Sequence, residues 1–91
     1  MIFEIRYHHD VVAADIPKLS SKMKERIRVA IEQKLMMAPE QFGVPLRRSL
    51  RGYRKLRVGD YRIIFRIDGS IVKVFMIQHR SVVYKKMTVR L

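Results

Sequence analysis

The chain of 91 residues is long enough for one compact domain and too short for a second independent core. Twenty Lys and Arg residues against eight Asp and Glu give a formal net charge of +12, which favours an anionic partner, with nucleic acid ahead of an anionic membrane or an acidic protein. Cysteine is absent and the three histidines do not have a metal-ligand spacing, so we expect no disulfide, no metal and no cofactor.

The N-terminal stretch MIFEIRYHHD lacks the continuous apolar core of a signal peptide. The longest apolar runs elsewhere in the sequence are far too short to span a bilayer. We therefore expect a cytoplasmic protein with no membrane partner.

The chain opens with a predicted strand and a predicted first helix. IFEIRY alternates apolar and polar residues, which is typical of a short strand. Asp10 is placed to cap a helix through VVAADI. Pro17 should restrict or end that helix, because a proline disfavours helical angles at the preceding residue, Ile16.

A second helix is predicted over residues 21–37, with Ser20 or Ser21 as its cap. The spacing of its apolar residues places them on one face: Met23, Ile27, Ala30, Ile31 and Leu35. The following stretch APEQFGVP has two prolines and a glycine, and so indicates a loop.

The second half of the chain has a period of two and predicts three strands, YRKLRV, YRIIFRI and IVKVFMIQHR. Gly59 and Asp60 should turn the chain after the first of these strands, and Asp68-Gly69 is a hairpin signal after the second. The predicted fold class is α+β. We expect a single domain over residues 1–91, with an N-terminal strand and a two-helix hairpin packed on one face of a small antiparallel sheet.

Alternation predicts that several basic residues share the open face of this sheet. If Ile63 and Phe65 face the helices, Arg62 faces away from them, and the same holds for Lys55 and Arg57 on the preceding strand. With Arg80, these basic residues form a cluster on one sheet face that has two interpretations, since the long side chains either extend into water or bind a phosphate. Lys73 is left out of the cluster, because it shares a face with Arg80 only if a bulge interrupts the strand.

The stretch HRSVVYKK follows the last predicted strand and contains Arg80 and Tyr84. Alternation places His79 opposite Arg80, and we interpret His79 as a structural residue rather than a catalytic one. Tyr84 has two possible roles, in proton transfer or in stacking on an RNA base.

The combination of LRVGDYRIIFRI, VKVFMIQHR and a tyrosine four residues past the arginine resembles the RelE/ParE superfamily of type II toxins. The resemblance covers essentially the whole chain, including the lead-in PLRRSLRGY. In the RelE branch it implies a metal-independent endoribonuclease that cleaves mRNA in the ribosomal A site by attack of a 2′-hydroxyl on the adjacent phosphate. It implies Arg62, Arg80 and Tyr84 as catalytic residues, and Lys55 and Arg57 as residues that hold the RNA backbone. YRKLR departs from the two alternating lysines of the best-known members.

The resemblance also implies partners, namely a cognate antitoxin that neutralises the toxin, together with the ribosome and its mRNA. Two alternatives stay open. One is a ParE-like toxin that inhibits DNA gyrase without being a nuclease. The other is a basic protein that binds RNA or the ribosome without catalysis.

Overall fold

The computed structural model describes residues 2–47, 50 and 52–91, so part of the lead-in PLRRSLRGY lies outside the described residues. A five-stranded sheet has the strand order β1-β5-β4-β3-β2. Its strands are β1 (Glu4–Tyr7), β2 (Val44–Pro45), β3 (Arg54–Val58), β4 (Tyr61–Asp68) and β5 (Ile71–His79). The α+β class is confirmed. The sheet is antiparallel from β2 to β5, but β1 pairs with β5 in parallel, since the helices and β2 to β4 form the long crossover that parallel pairing requires.

The predicted two-helix hairpin is present and covers one face of the sheet. Its first arm is a π-helical segment followed by a 3-10 turn, and its second arm is α1, which continues into a π-helical turn: Val11–Asp15, Ile16–Lys18, Ser21–Ala30 and Ile31–Leu35. Ser20 caps α1, because its Oγ accepts a hydrogen bond of 3.1 Å from the Met23 N–H.

Two local predictions about the first arm are wrong. Within the described residues Asp10 makes no side-chain capping hydrogen bond, since its backbone is already helical. Ile16 also keeps helical angles despite the following proline. Pro17 is tolerated because it stands at the start of the 3-10 turn, where its missing N–H is not needed.

The helix-facing side of the sheet forms the larger core. Leu35, Ile63, Phe65, Val72 and Val74 are fully buried in it, together with residues of α1 and the N-terminal helical arm. The apolar face predicted for the second helix packs here, which confirms that periodicity.

The opposite side of the sheet, which the sequence predicted to be open, is partly covered by a C-terminal helix, α3 (Val83–Arg90). Val83 and Met87 lie one turn apart on α3 and are fully buried against Ile64 and Met76. A short helix, α2 (Pro39–Phe42), was also not predicted. In the described part of the chain, no helix is long and apolar enough to cross a membrane.

A β-bulge changes which residues of β5 share a face. Ile64 pairs with Met76 and the next residue of β4, Phe65, pairs with Val74, so Phe75 is the extra residue. The bulge shifts the alternation by one residue, and Lys73 and Arg80 consequently lie on the same side of the sheet as α3. The sequence allowed Lys73 and Arg80 to share a face only if a bulge interrupted the strand, and the structure has that bulge.

In each of the two hairpins, the first loop residue is a glycine with a positive φ, in the left-handed region. The β3–β4 turn uses Gly59 and Asp60 as predicted, with a φ of 59° at Gly59. The β4–β5 turn lies one residue later than predicted, because Asp68 still pairs with Ile71. Its two loop residues are therefore Gly69, with a φ of 61°, and Ser70.

Candidate functional site

A polar pocket of about 440 Å³ opens where β4 begins and β5 ends. It is lined by Lys55, Arg62, His79, Arg80, Ser81 and Tyr84. The β3–β4 hairpin places Lys55 and Arg62 on one face, β5 returns Arg80 beside the start of β4, and the following turn leads to Tyr84 in the first turn of α3. Four of the five residues singled out from the sequence thus line one pocket.

Tyr84 and Lys55 are in direct contact although 29 residues separate them in the chain. Lys55 Nζ donates a hydrogen bond of 3.1 Å to Tyr84 Oη, and Nζ lies 5.8 Å from the centroid of the Tyr84 ring. Tyr84 is 42% exposed, so part of its ring and hydroxyl stay accessible to a ligand. The hydrogen bond from the ammonium group orients the phenol oxygen within the pocket.

The two arginines of the pocket are held in different ways. Arg62 Nη1 donates hydrogen bonds of 3.1 Å to the Gly59 carbonyl and 2.9 Å to the Tyr61 carbonyl, which fix the guanidinium at the hairpin turn. Arg80 is freer, with Nε 3.8 Å from Asp60 Oδ1 and both side chains about two-thirds exposed. An exposed pair at that distance contributes little stability, so Arg80 remains available for an anion.

Arg57 lies outside this pocket. Its Cα is directly opposite that of Arg62 in the β3–β4 ladder, as alternation predicted. Its side chain instead lines a cleft between β3 and α1, beside Arg26 and Gly59. The two-residue strand β2 pairs with Arg54 and Lys55, so Arg57 stands at the edge of the sheet, where its side chain can reach the helix layer.

His79 and Ser81 line the pocket although neither was selected as a site residue. The Ser81 N–H donates a hydrogen bond of 3.1 Å to His79 Nδ1, and Ser81 Oγ lies 2.8 Å from the same nitrogen. A neutral His79 ring must therefore carry its proton on Nε2. The signal for Ser81 is its position two residues after a strand-ending histidine, where a serine N–H and hydroxyl can reach the ring.

A buried acidic residue, Asp15, fixes the far end of α3 and was not identified from the sequence. Asp15 is 2% exposed and accepts hydrogen bonds of 2.7 and 2.9 Å from Arg90, 2.9 Å from the Ile77 N–H and 2.7 Å from Gln78. Arg90 also donates to the Phe75 carbonyl. The sequence signal is an aspartate one helical turn after the buried Val11, on the same face.

These contacts also set the protonation of the pair. Burial raises the pKa of Asp15, but the hydrogen bonds from Arg90, Ile77 and Gln78 and the charge of Arg90 outweigh it, so the pKa is lowered overall. The hydrogen bond to Asp15 raises the pKa of Arg90 in turn. Asp15 is therefore ionised at neutral pH, although it is buried. Across the residues with assigned positions, no three His, Asp or Glu side chains form a cluster that could hold a metal ion.

Similarity to known proteins covers nearly the whole chain. The family of the ParE toxin of the type II toxin-antitoxin system parDE matches residues 5–84. Toxin RelE of Mycobacterium tuberculosis is 30% identical over 84 residues, which span 86% of this chain and 87% of the relative. Toxin RelG of the same organism is 34% identical over 71 residues, which span 71% and 82% of the two chains.

Solved structures of toxins share the fold of this chain. A chain in the crystal structure of the toxin-antitoxin complex RelBE2 from Mycobacterium tuberculosis has a TM-score of 0.77 and 29% identity, covering 88% of this chain and 100% of that one. A mutant of the E. coli toxin RelE in the free state shares the fold, with a TM-score of 0.74, 17% identity and coverage of 100% and 99%. The chain therefore belongs to the RelE/ParE superfamily of type II toxins.

Proposed function

We propose that this toxin is an endoribonuclease that cleaves mRNA in the A site of the ribosome, through attack of a 2′-hydroxyl on the adjacent phosphate. The observation that carries the proposal is the convergence of Lys55, Arg62, Arg80 and Tyr84 on one open pocket. Ribosome-bound message would be cleaved in the cytoplasm, and no cofactor takes part.

The pocket supplies the groups that this reaction needs. A bond forms between the 2′-oxygen and phosphorus while the bond to the leaving 5′-oxygen breaks. The 2′-hydroxyl proton passes to a base, the 5′-oxygen takes a proton from solvent, and negative charge builds up on the phosphoryl oxygens. Arg62, fixed by two carbonyls, and the more exposed Arg80 place positive charge around that phosphate. Guanidinium groups suit this role because they donate two parallel hydrogen bonds to phosphate oxygens.

Tyr84 is the proposed proton-transfer residue. Removal of the 2′-hydroxyl proton requires a base within hydrogen-bond distance, and the phenolate form of Tyr84 can accept that proton at an oxygen that is accessible and held by Lys55. His79 is less suited to accept that proton, because Ser81 already occupies Nδ1 and the neutral ring carries its proton on Nε2. These contacts favour proton transfer over stacking as the role of Tyr84.

Two relationships to other proteins bear on the proposal. The chain of M. tuberculosis RelBE2 that resembles this one was crystallised in a toxin-antitoxin complex, which supports a cognate antitoxin as the neutralising partner here. The matching family is that of the ParE toxin, which supports gyrase inhibition as a second candidate function. The pocket favours the nuclease, because gyrase binding has no chemical need for a phenol that is held by a lysine and shares its pocket with two arginines.

The test adds the purified protein to translating ribosomes that carry a defined message and maps the new 5′ ends, with a gyrase supercoiling assay in parallel. We expect cleavage in the A-site codon and unaffected gyrase. Arg62→Ala and Arg80→Ala should each slow cleavage by about 10²–10³. Intact message together with inhibited gyrase would overturn the proposal.

Arg57→Ala provides the matched comparison, because it removes the same charge from the position opposite Arg62. Arg57 is predicted from the resemblance to hold the RNA backbone, yet its side chain lies outside the pocket. We expect Arg57→Ala to weaken RNA binding modestly and to leave the cleavage step of bound message intact. A loss in the cleavage step as large as that of Arg62→Ala would mean that the catalytic site extends to the cleft beside α1.

A further inference from the structure

A second group of cations lies on the α3 side of the sheet, across α3 from the pocket. Arg6 of β1 is directly opposite Lys73 of β5, and Lys73 is directly opposite Arg66 of β4. All three residues are exposed, and we call them the cation row. Like charges at directly opposed positions destabilise a sheet. The row therefore has a stability cost that a bound anion would offset.

Local acids balance this charge in part. Arg6 Nε lies 2.5 Å from Glu4 Oε2, and Lys73 Nζ donates a hydrogen bond of 3.0 Å to Asp68 Oδ2. Both pairs are at least half exposed, and exposed pairs contribute little and are easily exchanged for another anion. Arg66 lies over the ring of Tyr53, 5.4 Å from its centroid.

An aromatic groove of about 330 Å³ lies beside the cation row. Phe75, the bulged residue of β5, has its ring centroid 5.1 Å from that of Tyr53 and 5.2 Å from that of His8. The row forms one side of this groove, so aromatic rings and cations border the same space. A nucleotide has the matching chemistry, because its base stacks on aromatic or guanidinium planes and its phosphate binds cations.

We propose that the groove and the cation row bind a nucleotide of the same single-stranded RNA whose cleavage is proposed above, a few nucleotides from the cut. Arg62 in the pocket and Arg66 in the row lie on one face of β4, four residues and therefore about 13 Å apart. One RNA strand can contact both arginines by crossing α3. The inference rests on the proposed function for its ligand, and it adds a second binding site for that substrate.

The test measures how the affinity for a labelled 12-nucleotide single-stranded RNA depends on salt. Arg66→Ala/Lys73→Ala removes two exposed cations of the groove. Each lost phosphate contact lowers the slope of log affinity against log salt by about 0.7, so the double variant should lose about 1.4 and bind roughly tenfold more weakly near physiological salt.

Lys22→Ala/Lys24→Ala is the matched control. It removes the same charge from exposed positions of α1, in the helical layer on the other side of the sheet. The control should keep the wild-type slope and thermal midpoint, and the groove variant should unfold at or slightly above the wild-type midpoint, because it removes opposed like charges. A groove variant whose slope falls no more than that of the control overturns the inference, as does the absence of any binding of the 12-mer by the wild type.

A dinucleotide bound in the pocket is too short to reach the groove, so its affinity reports on the pocket alone. We expect the groove variant to bind the dinucleotide as the wild type does. An equal loss of affinity for both RNAs would show that the substitutions disturb the pocket, and would overturn the inference. Intact message on ribosomes combined with the expected loss of slope would overturn the nuclease and leave the groove as an RNA-binding site.

Discussion

The two ends of α3 are held in opposite ways. At its C-terminal end Arg90 is largely buried and is bound by Asp15, which also ties down β5. At its N-terminal end Tyr84 is 42% exposed and receives one hydrogen bond from Lys55. The difference indicates that the helix is anchored away from the pocket, and Tyr84 in its first turn stays accessible to a ligand. Substitutions at the anchored end should change stability, and those at the open end should change activity.

The largest effect is expected for Asp15→Ala. This substitution removes the buried counter-charge of Arg90 and leaves only the half-exposed Asp10 carboxylate nearby. Breaking such a buried pair costs about 3–5 kcal/mol of unfolding free energy. Since small domains have about 5–15 kcal/mol in total, a large fraction of the stability would be lost. Urea denaturation followed by circular dichroism measures the change.

Asp10→Ala is the control for this prediction, because Asp10 is the other carboxylate near Arg90. Its Oδ2 lies 3.6 Å from Arg90 Nε, but its side chain is 48% exposed. The expected loss is below about 1 kcal/mol. Equal losses for the two variants would mean that the buried contacts of Asp15 do not anchor α3.

At the open end, Tyr84→Phe should slow mRNA cleavage by about a hundredfold, the lower range for proton transfer by a positioned side chain. The ring and its packing are retained, so the free energy of unfolding should stay near that of the wild type. Single-turnover cleavage on ribosomes measures the chemical step. A Tyr84→Phe protein with full activity beside an inactive Tyr84→Ala protein would assign Tyr84 to base stacking.

Periodicity and turn chemistry were sufficient to predict the larger core and the shared face of Lys55 and Arg62. The alternation of β3 and β4 and the glycine turn between them fix Lys55 and Arg62 on one face, whatever else packs on the sheet. The hairpin that follows brings β5 back beside β4, but Arg80 shares the face of Lys55 and Arg62 only because the bulge at Phe75 shifts the alternation of β5 by one residue.

The features that the sequence did not predict depend on tertiary contacts. Helix α3 is short and has two fully buried residues, Val83 and Met87, which is too weak a pattern to identify before the second face of the sheet is known. The bulge at Phe75 was not predicted, because phenylalanine is not a residue type that indicates a bulge. The backbone of Arg57 follows the predicted alternation. Because Arg57 lies at the edge of the sheet, its side chain can turn toward α1, and periodicity does not predict this direction.

A smaller effect is expected from acid, again at the anchored end. The pKa of Asp15 is lowered in the folded protein, so its ionised form adds stability above the unfolded-state pKa of about 4, and that stability is lost as pH falls through the native pKa. Asp15→Asn cannot titrate. The difference in unfolding free energy between wild type and Asp15→Asn should therefore be largest near pH 6 and shrink toward pH 3, as measured by urea midpoints. A constant difference would contradict the ionised pair.

The smallest effect, about tenfold in cleavage, is expected for Lys55→Met, since a single hydrogen bond contributes about 0.5–1.5 kcal/mol. Lys85→Met, which removes the same charge beside Tyr84, is its control and should be near neutral. Combining Lys55→Met with Tyr84→Phe separates two ways in which Lys55 could act. If the lysine acts through the phenol oxygen, the double variant should be no slower than Tyr84→Phe alone, because the interaction is already gone. If the two losses multiply, Lys55 acts on the RNA independently of Tyr84, and its hydrogen bond to the Tyr84 oxygen does not contribute to cleavage.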